Sequence, residues 1–169
     1  MPITDRIEID PRVPNGKAVI QDTRTSVLKQ KLNQIAPAVF AESPVLFAYL
    51  YGSYAQGAAH SFSDLDIGIC VEGLDVRACL DIELSLALRI DEKLDHIVQS
   101  EVRVINHLPL VVKGKILTDG ELIYSKAEDK RIEFETQVRK AFFDFLPVIL
   151  QYRNAYREKL LMVQANGLR

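Results

Sequence analysis

The chain has 169 residues, is 48% hydrophobic and 26% charged, and carries 21 Lys and Arg against 23 Asp and Glu, a net charge of −2. This length and average composition exclude collagen-like and disordered classes and favour one domain with a single core. A nearly balanced charge argues against a dedicated duplex-DNA binder, which normally has a basic excess.

Cellular location is indicated by the cysteines and by the apolar runs. Cys70 and Cys79 are too few for a disulfide framework or a four-ligand zinc site, which favours reduced thiols. No apolar run reaches the roughly 18 residues of a membrane span, and the first residues lack the basic and apolar regions of a signal peptide. We therefore expect a cytoplasmic protein that contacts no membrane and no nucleic acid directly.

Helix and strand signals begin after an irregular arm. Residues 1–25 contain three prolines and an Asn-Gly turn pair, and leave room for one short strand. Helical spacing then predicts a first helix with Ser26 as its N-cap and Pro37 near its end. The apolar runs Val45–Tyr51 and Leu65–Val71 predict two buried strands.

An amphipathic helix and further strands follow. The helix is predicted over 75–94 with Asp75 as its N-cap. Its apolar residues should cover one face of the sheet: Val76, Leu80, Ile82, Leu84, Leu86, Leu88, Ile90 and Leu94. Alternation predicts a third strand over Val98–Ile105, Leu108-Pro109 opens a short helix, and Glu121–Tyr124 forms a last strand. The pattern is that of a mixed α/β domain.

The remainder of the chain has the pattern of one long helix. From Ala127 apolar residues recur every three or four positions: Val138, Phe142, Phe145, Ile149, Tyr152, Tyr156, Leu160 and Val163. Pro147 is expected to kink the helix. At about 1.5 Å per residue it would exceed the width of a small domain. It therefore either packs back on the sheet or docks a partner protein or a second copy of the chain, with Tyr152 and Tyr156 as candidate contacts.

The loop between the first two strands carries the features of a phosphate-binding turn. Gly52 directly follows a buried strand and permits close backbone approach to a ligand. Ser53 and the amides after it would begin a short helix, whose N-terminus favours phosphate oxygens. Tyr54 is a candidate for ligand contact or for core packing, and Gly57 closes the stretch. We expect this loop to hold the triphosphate of a nucleotide.

Two aspartates lie at the start of the second strand. Asp64 and Asp66 are two residues apart, so their side chains point to one face. Paired carboxylates suit hard cations such as Mg²⁺. Metals held there would activate an attacking hydroxyl and neutralise a leaving pyrophosphate, which is the chemistry of nucleotidyl transfer.

The pattern of Gly-Ser, then ten residues, then Asp-X-Asp resembles the signature of the DNA polymerase β-type nucleotidyltransferase superfamily. The compact chain is similar to its minimal nucleotidyltransferase (MNT) branch, and within it to MntA-type antitoxins of HEPN/MNT (type VII) toxin-antitoxin systems. The resemblance spans about residues 45–125 and implies the polymerase β-like α+β fold, a small mixed sheet flanked by helices. It also implies two Mg²⁺ ions, ATP, and transfer of AMP to a tyrosine of the cognate HEPN ribonuclease toxin, which silences the toxin.

The resemblance also implies a third carboxylate on a neighbouring strand. Glu101 matches its position, before Val102–Asn106, and would bind metal and help to activate the acceptor hydroxyl. Asp95 is the alternative. The family's usual Arg before the loop glycine is Gln56 here, which removes a charge that aids triphosphate binding.

These patterns divide the chain into the arm, a nucleotidyltransferase domain at 26–125 and a helical segment at 126–169. Two other functions stay open. A nucleotidyltransferase acting on a small molecule such as an aminoglycoside would normally carry an acceptor-binding domain. A non-catalytic nucleotide-binding antitoxin would act by occlusion through the terminal helix.

Overall fold

The computed structural model describes residues 7–8, 19–20, 23–60 and 62–166. In the N-terminal arm, strands β1 (Ile7–Glu8) and β2 (Val19–Ile20) pair antiparallel. Of the rest of the predicted arm, residues 23–25 begin the first helix, and the others lie outside the described residues.

A four-stranded mixed sheet forms the centre of the molecule. Its strands are β3 (Val45–Tyr51), β4 (Leu65–Val71), β5 (Ser100–Val104) and β6 (Glu121–Ser125), in the order β5-β4-β3-β6. Strand β3 runs antiparallel to β4 and β6, whereas β4 and β5 are parallel. The expected α+β fold with a small mixed sheet is confirmed, and the predicted bounds of β3 and β4 are correct.

Helices cover both faces of this sheet. They are α1 (Thr23–Phe40), α2 (Gly52–Ala55), α3 (Val76–Lys93), α4 (Leu110–Asp119) and α5 (Glu128–Asn166). A single 3₁₀ turn, Ile105–His107, joins β5 to α4.

Each face of the sheet packs its own core. On one face α1 and α3 bury residues such as Leu32, Ile67 and Ile90. On the other face α4 and the first part of α5 cover Phe47 and Ile116 in a smaller cluster. The alternation of side chains along each strand supplies both faces. The second face is therefore the one on which Phe47, Tyr49 and Tyr51 of β3 and the even-numbered residues of β4 lie, whereas Val45, before the irregularity in β3, belongs to the first core.

Two helix predictions need correction and one is confirmed. Ser26 is not the N-cap of α1, because the helix begins at Thr23 and Ser26 is an exposed residue inside it. Asp75 does cap α3, and its side chain accepts a hydrogen bond from the Ala78 amide at 2.8 Å. Four predicted core residues of α3 are instead exposed: Val76, Leu80, Leu84 and Leu88.

Helix α5 packs on the domain only through its first part. It is one helix of 39 residues that continues through Pro147. The Tyr49 hydroxyl of β3 donates a hydrogen bond to Glu135 at 2.6 Å, and Val138 and Phe142 are buried. Further along, Tyr152 and Tyr156 are 80% and 62% exposed. The beginning of α5 thus packs on the domain, as one of the two alternatives expected, whereas its distal part projects into solvent.

No helix among the described residues is both long and apolar enough to cross a membrane.

The contact between α4 and α5 requires a glycine. A Cβ at Gly114 would lie 2.2 Å from the Phe142 ring. We expect Gly114→Ala to destabilise the chain by about 1–3 kcal/mol through overpacking, measured by urea denaturation. Lys115→Ala, at an exposed neighbouring position of α4, is the control and should change stability little. Equal stability of the two variants would contradict this packing.

Candidate active site

The strand register brings the predicted carboxylates together at one edge of the sheet. Asp66 lies opposite Tyr51 in the β3–β4 pair and beside Glu101 in the β4–β5 pair. Directly paired residues project from the same face of a sheet. Tyr51, Asp66 and Glu101 therefore form one row across three strands, on the face that α4 and α5 cover further along.

Asp64 is a second aspartate beside this row. It directly precedes β4 and is exposed, whereas Asp66 is half-buried. Burial raises the pKa of the Asp66 carboxyl, and the nearby charges of Glu101 and Asp64 raise it further. The three predicted carboxylates thus interact electrostatically, and their mutual repulsion is a cost that a bound cation would remove.

Gly52 lies directly against Asp66. Its φ of +70° is in the left-handed region, which glycine adopts readily. A Cβ at this position would lie 2.0 Å from the Asp66 Oδ2 atom. Gly52 is therefore required by its conformation and by the close approach of the carboxylate, a reason that the sequence did not reveal.

The loop residues predicted to bind phosphate continue into α2. Ser53 is half-buried, and its carbonyl accepts a hydrogen bond from the Ala58 amide at 2.9 Å. Tyr54 is buried in the core that α1 and α3 cover, so its side chain fits the packing alternative. Gly57 has a φ of +68° and open space around its Cβ position. Nucleotide binding by these residues stays a prediction.

Lys29 ties the end of α2 to two other elements. Its ammonium group donates to the Ala55 carbonyl at 3.3 Å and pairs with Glu121 of β6 at 2.5 Å. A cation at the C-terminal end of a helix is electrostatically favourable. Lys29 therefore helps to fix the loop that follows Gly52, and no motif in the sequence indicated it.

Arg103 is a second residue that the sequence analysis missed. Its guanidinium donates to Glu101 Oε1 from Nε at 2.8 Å and from a terminal nitrogen at 2.7 Å. The two residues alternate along β5 and so share a face. Alternation predicted this shared face, but only the three-dimensional register places the pair beside Asp66.

Asp95, the alternative third carboxylate, lies elsewhere. It follows α3 with a φ of +56°, and Lys31 of α1 approaches it at 3.9 Å. It is not among the charges that shift Asp66, whereas Glu101 is. The geometry therefore favours Glu101 for this role.

Tyr51 borders the carboxylates on the β3 side. Burial raises its pKa to about 12, and the charges of Asp66 and Glu101 act in the same direction. The hydroxyl therefore stays protonated at neutral pH. Its ring also lies near Gly68, whose Cβ position is 3.6 Å from a Tyr51 ring carbon.

The donor set suits a hard dication such as Mg²⁺. Asp64, Asp66 and Glu101 offer carboxylate oxygens, and the repulsion at Asp66 favours added positive charge. Within the described part of the chain, however, no three His, Cys, Asp or Glu side chains already surround one point. Glu101 is instead engaged by Arg103. Asp64 and Asp66 are therefore the residues most directly available to a metal.

Gly52→Ala tests the contact with Asp66. The methyl group would displace the carboxylate in addition to straining the backbone, so this variant should lose more stability than Gly57→Ala. Gly57→Ala is the matched control, since it shares the positive φ but has open space. Each substitution should lower the free energy of unfolding by about 1 kcal/mol because alanine disfavours a positive φ. Urea denaturation then measures how much more stability Gly52→Ala loses than Gly57→Ala. Equal losses would contradict the contact.

Asp66→Asn tests the electrostatic state of the site. The pKa of the Asp66 carboxyl is higher in the folded chain than in the unfolded chain. The protonated carboxyl therefore stabilises the fold fully at a pH below its pKa in the unfolded chain, and this stabilisation is lost as the pH rises through its pKa in the folded chain. Without metal, the variant should therefore melt at a higher temperature than the parent at neutral pH. The difference should vanish below about pH 4, the unfolded pKa of Asp.

The control for this experiment is Asp81→Asn, at an exposed position of α3. It should leave the melting temperature nearly unchanged across the same pH range. A metal-free Asp66→Asn that is less stable than the parent at neutral pH would show that the carboxylate is not under repulsion.

A family model and several solved structures are similar to this chain. The family model described as polymerase beta, nucleotidyltransferase matches residues 33–129. No curated protein sequence matches the chain. Among solved structures, a toxin-antitoxin with AMP-PNP aligns with a TM-score of 0.55 and 19% identity, covering 76% of this chain and 98% of its own.

Two further structures have the same fold. The tri-AMPylated Shewanella oneidensis HEPN toxin in complex with MNT antitoxin gives a TM-score of 0.51 at 18% identity, over 79% of this chain and 98% of the matched one. The toxin-antitoxin MntA-HepT gives 0.51 at 16% identity, with the same coverage. Because the family model matches more than half of this chain, the chain belongs to the polymerase β nucleotidyltransferase family.

Proposed function

We propose that the chain is a Mg²⁺-dependent adenylyltransferase that transfers AMP from ATP to a tyrosine hydroxyl of a cognate HEPN ribonuclease toxin and thereby acts as its antitoxin. The observation that carries the proposal is the row of Asp66 and Glu101, with Asp64 beside it, against the glycine turn at Gly52. An acidic site next to a close-approach glycine suits a metal-bound nucleotide.

The similar structures support the choice of substrate and partner. One is described with AMP-PNP, an ATP analogue, and another contains an AMPylated HEPN toxin with an MNT antitoxin. This chain has the same fold and carries the Gly-Ser and Asp-X-Asp residues. ATP and a HEPN toxin are therefore the substrates that we assign to it.

The proposed reaction forms one bond and breaks one. The tyrosine oxygen attacks the α-phosphorus of ATP, the bond to the bridging oxygen breaks, and pyrophosphate leaves with its electron pair. Asp64 and Asp66 would hold Mg²⁺, which supplies charge neutralisation for the phosphates and lowers the pKa of the acceptor hydroxyl. Glu101 would accept the hydroxyl proton, which requires its release from Arg103.

Residues around the carboxylates position the nucleotide. Gly52 lets the backbone approach the phosphates beside Asp66, and Lys29 fixes the end of α2. Tyr51 keeps its proton and closes the β3 side of the row. These residues shape the nucleotide site without taking part in bond formation.

Occlusion without catalysis is the second candidate. The observation that favours it is the exposed apolar surface of distal α5, where Tyr152 is 80% exposed. In that case the chain would silence its toxin by binding alone, and changes to the carboxylates would leave inhibition intact.

A transfer assay distinguishes the two functions. The purified chain is incubated with Mg²⁺, α-labelled ATP and the HEPN-type toxin expressed with it, and label on the toxin is measured. Asp64→Asn and Asp66→Asn should lower transfer by at least about two orders of magnitude while the chain stays folded. Glu101→Gln should also lower it, and Asp95→Asn is the matched control that should not.

Three outcomes would contradict the proposal or one of its assigned roles. Tight complex formation without any transfer by the parent chain would favour occlusion. Near-normal transfer by Asp64→Asn or Asp66→Asn would exclude these carboxylates as metal ligands, and a loss in Asp95→Asn alone would move the third carboxylate to Asp95.

A further inference from the structure

Helix α5 carries an apolar seam that the described chain covers only at its beginning. Along the helix, six residues recur with alternating spacings of four and three: Val138, Phe142, Phe145, Ile149, Tyr152 and Tyr156. This heptad spacing is typical of a helix that packs lengthwise against another helix. The feature is not part of the nucleotide site.

Only the first part of the seam has a partner within the chain. Val138 and Phe142 are each 7% exposed, and Phe142 lies against Gly114 of α4. Helix α4 has 10 residues, against 39 in α5. It therefore cannot follow the seam further, and Phe145 is already 46% exposed.

The uncovered part of the seam forms a shallow groove that is lined by one helix. Its volume is about 400 Å³, and all of its lining residues belong to α5: Phe145, Val148, Ile149, Tyr152, Arg153 and Tyr156. Aromatic residues and arginine are enriched in the cores of protein interfaces. An exposed surface of this composition and periodicity fits a helix lying along it.

The charges beside the seam indicate the chemistry of that helix. In the first part of α5, arginines are neutralised within the chain: Arg131 pairs with Glu128 and Glu135, and Arg139 with Glu135. In the distal part, residues 145–162 contain three basic residues, Arg153, Arg157 and Lys159, and one acidic residue, Glu158. None of these three cations makes an ion pair with any described residue.

We infer that distal α5, from Phe145 to Leu160, is a docking surface for an amphipathic helix with acidic flanks on a partner protein. The apolar side of that helix covers the seam, and its acidic residues pair with Arg153, Arg157 and Lys159. A second copy of this chain would bring the same unpaired cations to the interface. The charge distribution therefore favours a different, acidic partner.

The inference is tested with the full chain and two synthetic helical peptides. Both carry leucines at heptad spacing, one with glutamates and the other with lysines at the flanking positions. Binding is measured by fluorescence anisotropy. The acidic peptide should bind at least about tenfold more tightly than the basic one, and added salt should reduce the difference.

Variants locate the binding surface. Tyr152→Glu should weaken binding of the acidic peptide at least about tenfold, because Tyr152 is an exposed aromatic at the centre of the seam. Leu84→Glu, at a position of α3 that is 67% exposed, is the matched control and should leave binding unchanged. Arg153→Glu with Arg157→Glu should remove the preference for the acidic peptide.

The opposite results would overturn the inference. No binding of the acidic peptide, equal binding of both peptides, or equal losses from Tyr152→Glu and Leu84→Glu would each do so. Light scattering should find the chain monomeric at the assay concentration. A dimer that Tyr152→Glu converts to a monomer would assign the seam to a second copy instead. None of these measurements involves nucleotide transfer, so their failure is separate from failure of the proposed enzyme activity.

Discussion

The antiparallel pairing of β3 with β4 places Gly52 and Asp66 together at the centre of the candidate active site. Tyr51 lies opposite Asp66, so the chain turns into α2 at Gly52 directly against the Asp66 carboxylate. The parallel pairing of β5 then places Glu101 on the other side of Asp66. A one-residue slip in either pairing would move a carboxylate to the opposite face. The buried cores on both faces hold this register in place, and the site depends on it.

Charge is distributed unevenly over this frame. Residues 1–125 hold 12 basic and 17 acidic side chains, whereas residues 126–169 hold 9 and 6. In the domain, the acidic excess includes the carboxylates at the sheet edge, where Arg103 is paired with Glu101. In α5, Arg131 and Arg139 of the first part pair with neighbouring glutamates, whereas Arg153, Arg157 and Lys159 of the distal part make no ion pair with a described residue. The overall charge of −2 thus combines an acidic domain with a basic terminal segment.

Much of this arrangement was predictable from the sequence. Strands β3 and β4 are long apolar runs bounded by turn residues, and both were located correctly. The start of α1 was missed because serine resembles an N-cap wherever it precedes an apolar pattern. In α3, Val76, Leu80, Leu84 and Leu88 were assigned to the core because two apolar stripes overlap on this helix, and spacing alone does not tell which one faces the sheet.

The contacts of the site could not be read from the sequence in the same way. The Gly-Ser and Asp-X-Asp residues are local signals, and they identified the loop and both aspartates. The approach of Gly52 to Asp66, the Lys29 contact with α2 and the position of Tyr51 depend on pairing between distant segments. Sequence order does not encode that register directly.

The central claim is that Asp64 and Asp66 hold a metal that also contacts the nucleotide phosphates. The most direct measurement is anomalous X-ray diffraction from crystals grown with Mn²⁺ and a non-hydrolysable ATP analogue. We expect Mn²⁺ at about 2.2 Å from oxygens of both aspartates, with the triphosphate against Gly52 and Ser53. Mn²⁺ bound elsewhere, or nucleotide bound away from the Gly52 turn, would contradict it.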